Sequence, residues 1–246
     1  MALPTRKNII KRLQRSLPRG APFDSRALAR LGIYPALAYD YVKSGWLQRL
    51  GRGTFMFPGD NLRRDDTLKF LSRHLPGFHV GGKTALAWRG ILHNLPARAP
   101  LSLWGGRAVL PDWFRERFPS RYTTRSPFGP KLPKNYGLQP LPETPGGVPV
   151  SVPERAMLEM LGEVGRSQGV EESRNVMEGA RALRPEVLTT LLKNTRSVKV
   201  ARLCVQWAEE LDLPWSTAAR KAAAARWGRS RWVSRLKDGR VLILRP

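Results

Sequence analysis

The sequence predicts an α+β protein on three observations. Short amphipathic helical periods give way to β-prone runs within the first 60 residues. A helix-dense stretch runs from Pro153 to Trp227. Two apolar strands, Arg231 to Leu236 and Arg240 to Leu244, flank a hairpin turn at Lys237-Asp238-Gly239. The chain of 246 residues suits one large domain or two smaller ones, and 41% hydrophobic residues, with eight Trp and eight Phe, supply a core. The expected division is one domain over 1–60 and another over 61–246, subdivided near 145–150.

The elements follow in order. Asn8 to Leu17 carries Ile9, Ile10, Leu13 and Leu17 on one stripe, which predicts a helix stopped by Pro18-Arg19-Gly20. Asp24 or Ser25 stands where it caps a second helix, Arg26 to Leu31, ended by Gly32. Pro35 suits the first turn of a third helix running to about Ser44, and Gly45 ends it. Trp46 to Leu50 and Thr54 to Phe57 form two strands around Gly51-Arg52-Gly53, closed by Pro58-Gly59-Asp60. Helix, helix, turn, helix and hairpin outline a winged helix-turn-helix. Beyond it, Leu68 to Leu75 and Thr84 to Leu92 read as helices, and Phe78-His79-Val80 and Leu101 to Trp104 as strands. Prolines and glycines disfavour helix from Ser126 to Val152, which reads as a loop, or loops joining edge strands. The step Ser151-Val152-Pro153-Glu154 has the cap, proline and acid of a helix start. Glu171 to Ala182, Pro185 to Asn194, Val198 to Leu211 and Trp215 to Trp227 continue as helices. The C-terminal region is therefore larger, mixed and mostly helical, and ends in a β-hairpin.

Charge narrows the partners. The net charge is +24, and the isoelectric point is about 11.4. Segments 1–60, 61–150, 151–219 and 220–246 carry +8, +9, −1 and +8. An acidic polymer is the default partner of such a surface, and binding to it weakens steeply with salt. One cysteine, Cys204, excludes an internal disulfide and a cysteine-based zinc site, and fits a reducing cytoplasm. Met1 to Gly20 is basic but charge interrupts its apolar residues, unlike a signal peptide. No apolar run reaches the roughly 18 residues that cross a bilayer. A cytoplasmic protein without a membrane partner is expected.

On the third helix Leu37, Ala38, Tyr41 and Val42 fall on one side, and Ala36, Tyr39, Asp40 and Lys43 on the other. The second set, without Asp40 but with Tyr34 and Pro35 at the amino end, is the candidate DNA face. Lys43 suits phosphate or guanine, and Tyr39 and Ala36 suit thymine methyls. Arg49 and Arg52 on the wing suit phosphate or the minor groove. Ser25 and Arg26 lie at a helix amino end, where backbone amides favour phosphate. Asp40 opposes phosphate, and small helix-turn-helix units also serve as dimerisation modules.

Other chemistry is weakly signalled. Gly77-Phe78-His79-Val80-Gly81-Gly82-Lys83-Thr84 fits the G-x-x-x-x-G-K-[ST] phosphate-loop pattern. A phosphate loop follows a buried strand, however, whereas a helix ending at Pro76 precedes this one. The simpler expectation is a strand, a Gly-Gly turn and a helix capped near Thr84. No D/E-x-K nuclease element occurs, and Asp65-Asp66 sits at a helix start. His74, His79 and His93 lack the spacing of a helical metal pair and suit structural roles. Cys204 lies in an apolar helical run and suits the core. No catalytic residue, cofactor or metal site is expected. The tail from Arg220 to Arg245 interleaves Trp227 and Trp232 with cations. That pattern fits either single-stranded RNA stacking or a hairpin anchor.

Several blocks resemble AbiEi-type antitoxins: Leu31-Gly32-Ile33, Tyr41-Val42-Lys43-Ser44-Gly45-Trp46-Leu47 and Arg49-Leu50-Gly51-Arg52-Gly53. His79 to Leu86, Ser151 to Leu161, Arg196 to Leu203 and the final hairpin extend the resemblance over nearly the whole chain, in order. The resemblance implies the antitoxin half of a bacterial two-gene system linked to abortive phage infection. It implies a winged helix that represses its operon by binding inverted repeats in double-stranded operator DNA. It also implies a C-terminal region that counteracts a cognate AbiEii-like nucleotidyltransferase toxin, in a type IV manner without a stable complex. Tyr34, Pro35 and Asp40 depart from the polar or basic residues usual there, and Trp215 to Arg231 is unusually rich in Ala and Arg. An RNA-binding protein using the Trp/Arg tail, or a P-loop nucleotide-binding enzyme, is the alternative.

Overall fold

The computed structural model describes residues 6–92, 99–224, 232–235, 239 and 241–244. They form an α+β protein whose chain divides into two compact units. One joins residues up to His74 with Val109–Phe118, and the other joins Leu75–Ala108 with residues from Pro119 onward.

The first unit contains α1 (Arg6–Ser16), β1 (Phe23–Asp24), α2 (Ser25–Ala29), α3 (Pro35–Lys43), β2 (Gln48–Gly51), β3 (Thr54–Met56) and α4 (Arg64–His74). Its three-stranded sheet has the order β1-β3-β2, with Phe23 opposite Phe55. This order of elements is compatible with the expected winged helix-turn-helix. Leu13, Leu28, Ile33, Tyr41, Leu47 and Phe55 fill its core, each removed from water at about 1.5–3 kcal/mol for a large apolar side chain. The left-handed turns expected at Gly32 and Gly45 are present, at φ +81° and +74°. Asp24, not Ser25, caps α2, accepting from the Ala27 amide at 2.8 Å. Ser25 is therefore the first residue of α2, which ends at Ala29, short of the expected Leu31. The two-residue β1 escapes sequence reading because it is shorter than any alternation period. Helix α4 begins at Arg64, four residues before the expected Leu68, so Asp65 and Asp66 lie in its first turn.

The second unit begins with β4 (His79–Val80), α5 (Gly82–Trp88) and β5 (Leu101–Trp104). After β5 the chain supplies α6 (Asp112–Arg115) to the first unit, where Trp113 lies against Gly51. The second unit resumes with β6 (Ser120–Thr123), β7 (Leu138–Gln139) and β8 (Val150–Ser151). The sheet order is β6-β5-β4-β8-β7; β4 runs antiparallel to β5 and parallel to β8. Helices α7 (Pro153–Glu163), α8 (Val170–Glu178), α9 (Pro185–Lys193), α10 (Val198–Glu210) and α11 (Ser216–Ala223) follow. The chain closes on β9 (Trp232–Arg235), antiparallel to β10 (Val241–Leu244).

One expected cap and one expected helix start move. Helix α7 starts at Pro153 as expected, but its N-cap is Val152, which has no polar side chain, and the Ser151 hydroxyl donates to Glu159 at 2.8 Å instead. Helix α5 starts at Gly82 rather than near Thr84. The Thr84 hydroxyl oxygen instead accepts from the Ser102 amide of β5 at 2.8 Å, a strand–helix bond with no local sequence signal.

Candidate nucleic-acid interface

The start of α2, the face of α3 and the wing β2–β3 bound one groove of about 620 Å³. The Ser25 amide donates to the Gly53 carbonyl at 3.0 Å, tying the wing turn to the start of α2. Ser25, Arg26, Pro35, Tyr39 and Arg49 all line the groove. Its floor is apolar, built from Leu28, Ile33, Ala38, Val42 and Phe55. Sequence reading assigned Ala38 and Val42 to the buried side and did not foresee the groove, which needs the relative placement of three elements.

The remaining predicted residues do not line the groove. Tyr34 is the N-cap of α3 and is 65% exposed. Ala36 is exposed on the first turn of α3, Lys43 on its last, and Arg52 at the wing turn. Tyr39 is 66% exposed, and Asp40 is exposed beside it. Trp46, three residues after α3, is another exposed aromatic; the sequence places it in the wing strand, which begins at Gln48 instead.

Charge pairing sorts the cations of this unit. Arg19, Arg63 and Arg64 face Asp60, Asp66 and Asp65. Arg26, Lys43, Arg49 and Arg52 have no carboxylate partner among the described residues; Arg49 only bonds the Gly51 carbonyl, at 3.3 Å. Lys11, Arg12, Arg15, Arg30 and Arg73 are exposed in the same way, so uncompensated positive charge spreads over the unit and includes the groove. Asp24 anchors α2 from behind. Burial alone raises its pKa, but the Ala27 amide and His74 outweigh that and hold it below the usual range. His74 bridges Asp24, at 3.0 Å, and the Phe70 carbonyl, at 2.8 Å, a structural role.

The phosphate-loop pattern holds a carboxylate of its own. The Gly82 amide donates to Glu159 at 3.3 Å, and a Cβ at Gly81 collides with that same carboxylate. Lys83 pairs with Glu172 at 2.6 Å, and Thr84 is bound to the β5 backbone. The cradle that the pattern requires for phosphate is therefore filled by protein. Glu159 also meets His79 and Arg155, each at 2.9 Å. Burial raises its pKa, yet His79 and Arg155 hold it at about 2.

Cys204 is fully buried, and burial pushes its thiol up to about 12, so it is core and not a nucleophile. Among the described residues no three His, Cys, Asp or Glu side chains gather to hold a metal. No helix there is long and apolar enough to cross a membrane. His93, Trp227, Lys237 and Asp238 lie outside the described residues.

Two family models match the chain end to end. One, described as the transcriptional regulator AbiEi antitoxin N-terminal domain, matches residues 6–97. The other, described as the transcriptional regulator AbiEi antitoxin of a type IV toxin–antitoxin system, matches residues 98–243. Among solved structures, the crystal structure of the RV2827C protein from Mycobacterium tuberculosis has a TM-score of 0.57 at 17% identity. It covers 91% of this chain and 82% of that one, which shows a shared fold. No curated protein matches the chain.

Proposed function

The chain belongs to the AbiEi family of transcriptional regulators, antitoxins of type IV toxin–antitoxin systems, and from that premise we propose that its winged helix binds the operator of its own operon. The observation that carries this reading is one groove that brings Arg26 of α2, Tyr39 of α3 and Arg49 of the wing together, with exposed Lys43 and Arg52 next in the chain to its lining residues Val42 and Gly53. Cations on phosphate fix the register, while Tyr39 and Ala36 on α3 meet base edges. Two copies on an inverted repeat match the symmetry of such sites. The C-terminal region counteracts a nucleotidyltransferase-type toxin, the partner implied by the family resemblance.

The test is a reporter gene placed behind the chain's own upstream DNA. Expression of the chain represses the reporter, and Tyr39→Ala with Arg49→Ala relieves the repression at equal protein level. Undiminished repression by the double variant contradicts the placement of the reading face.

A further inference from the structure

The second unit contains a separate cavity of about 360 Å³ between the end of β5, the 126–134 loop and the start of α10. Trp104 and Phe128, each 5% exposed, show a small part of their rings to it, Leu132 supplies an apolar wall, and Lys134, Arg155 and Arg196 supply positive charge. No Asp or Glu lines it. The charges differ in availability. Arg155 is neutralised by Glu159 at 2.9 Å and lies over the Phe128 ring at 5.2 Å, so it is a fixed part of the wall. Lys134 and Arg196 are exposed and have no carboxylate partner among the described residues. Both nitrogens of His79 are occupied, by the Gly77 carbonyl at 2.8 Å and Glu159 at 2.9 Å. The histidine therefore shapes the cavity and is not placed to move a proton on a ligand.

From this we propose that the cavity binds a nucleoside monophosphate, or a ligand of that chemistry: a flat aromatic ring carrying a phosphate. A ligand ring packs against the exposed parts of Trp104 and Phe128, an edge contact that aromatic pairs favour whatever the base. A phosphate takes the two unpaired cations, for which charge-assisted bonds are the strongest available. The volume lies at the small end of the ligand-pocket range of about 300–1,000 Å³ and limits the occupant to about one nucleotide. The anion complements a pocket that otherwise holds two like charges without a counterion.

The experiment is calorimetric titration of the full chain with AMP, GMP, CMP and UMP, with the free nucleosides and inorganic phosphate alongside. At least one monophosphate binds saturably at one site, and its nucleoside and inorganic phosphate bind at least about tenfold more weakly, a loss of about 1.4 kcal/mol each. Lys134→Ala with Arg196→Ala weakens the monophosphate about tenfold or more. Both residues are exposed, so the double variant keeps the wild-type melting temperature. Absence of saturable binding overturns the proposal. So does equal affinity in the double variant, or inorganic phosphate binding as tightly as the nucleotide.

Discussion

The groove of the first unit and the helix core of the second treat charge differently. In the winged helix the cations of the groove stand in water with no carboxylate partner, over a small apolar core. In the second unit charge is taken inside. Glu159 and Glu154 are each 1% exposed and are met by several donors. Glu154 takes the Arg184 amide at 2.8 Å and its guanidinium twice at 2.9 Å, joining the start of α7 to the start of α9. Exposed cations contribute little to stability and are available to a ligand. Buried pairs hold elements in register and are costly to break. The difference separates a surface suited to binding from a scaffold held by charge.

The comparison breaks hardest at Glu159. Glu159→Ala leaves Arg155 and His79 without their shared carboxylate and costs about 3–5 kcal/mol, read by urea unfolding of the full chain. The same carboxylate sets a pH dependence. Its pKa in the folded chain is depressed from 4.5 to about 2. Its contribution is therefore complete above pH 4.5 and is lost as pH falls toward 2. Urea midpoints for the wild type fall across that interval. Glu159→Gln, which has no carboxylate to protonate, shows a shallower fall.

Next comes Glu154→Ala. It removes three hydrogen bonds to Arg184, but the guanidinium is half exposed and water takes over part of the loss. The expected cost is about 2 kcal/mol, within the range for bonds to a charged group. Asp24→Ala, which removes the cap of α2, costs about 1 kcal/mol, seen as a small drop in unfolding midpoint.

The smallest stability effect is at the groove. Arg52→Ala leaves the unfolding midpoint unchanged but lowers the slope of log affinity against log salt for duplex DNA by about 1. A stability loss at Arg52 matching that at Glu154 erases the contrast between the two units.

These same differences decide how much the sequence discloses. Much of the first unit is marked by local signals. Gly32, Gly45 and Pro35 punctuate it, and the apolar stripe of Ala38 and Tyr41 on α3 separates cleanly from exposed Ala36, Tyr39 and Lys43. Those signals are local and readable. The second unit is held by pairs far apart: His79 with Glu159 across 80 positions, and Arg184 with Glu154 across 30. No periodicity marks such pairs. Glu159 reads as an ordinary polar residue of an amphipathic helix until the fold brings β4 to it. The strand β6, and the positions of β7 and β8 within a stretch expected to be loops joining edge strands, escape for a related reason. They are two to four residues long, and neighbouring strands complete them, not their own alternation. Within the groove, single residues were legible but the cavity they share was not, because it requires the Ser25–Gly53 bond between α2 and the wing.

The central claim is that the groove of the winged helix binds duplex DNA of specific sequence. The most direct measurement is equilibrium binding of the full chain to a labelled duplex from its own upstream DNA, against excess scrambled duplex, over a salt series. The account predicts specific binding that survives competitor, weakens with salt, and is lost in Tyr39→Ala with Arg49→Ala while the variant unfolds at the wild-type midpoint. Equal affinity for the scrambled duplex, or undiminished specific binding in the double variant, contradicts it.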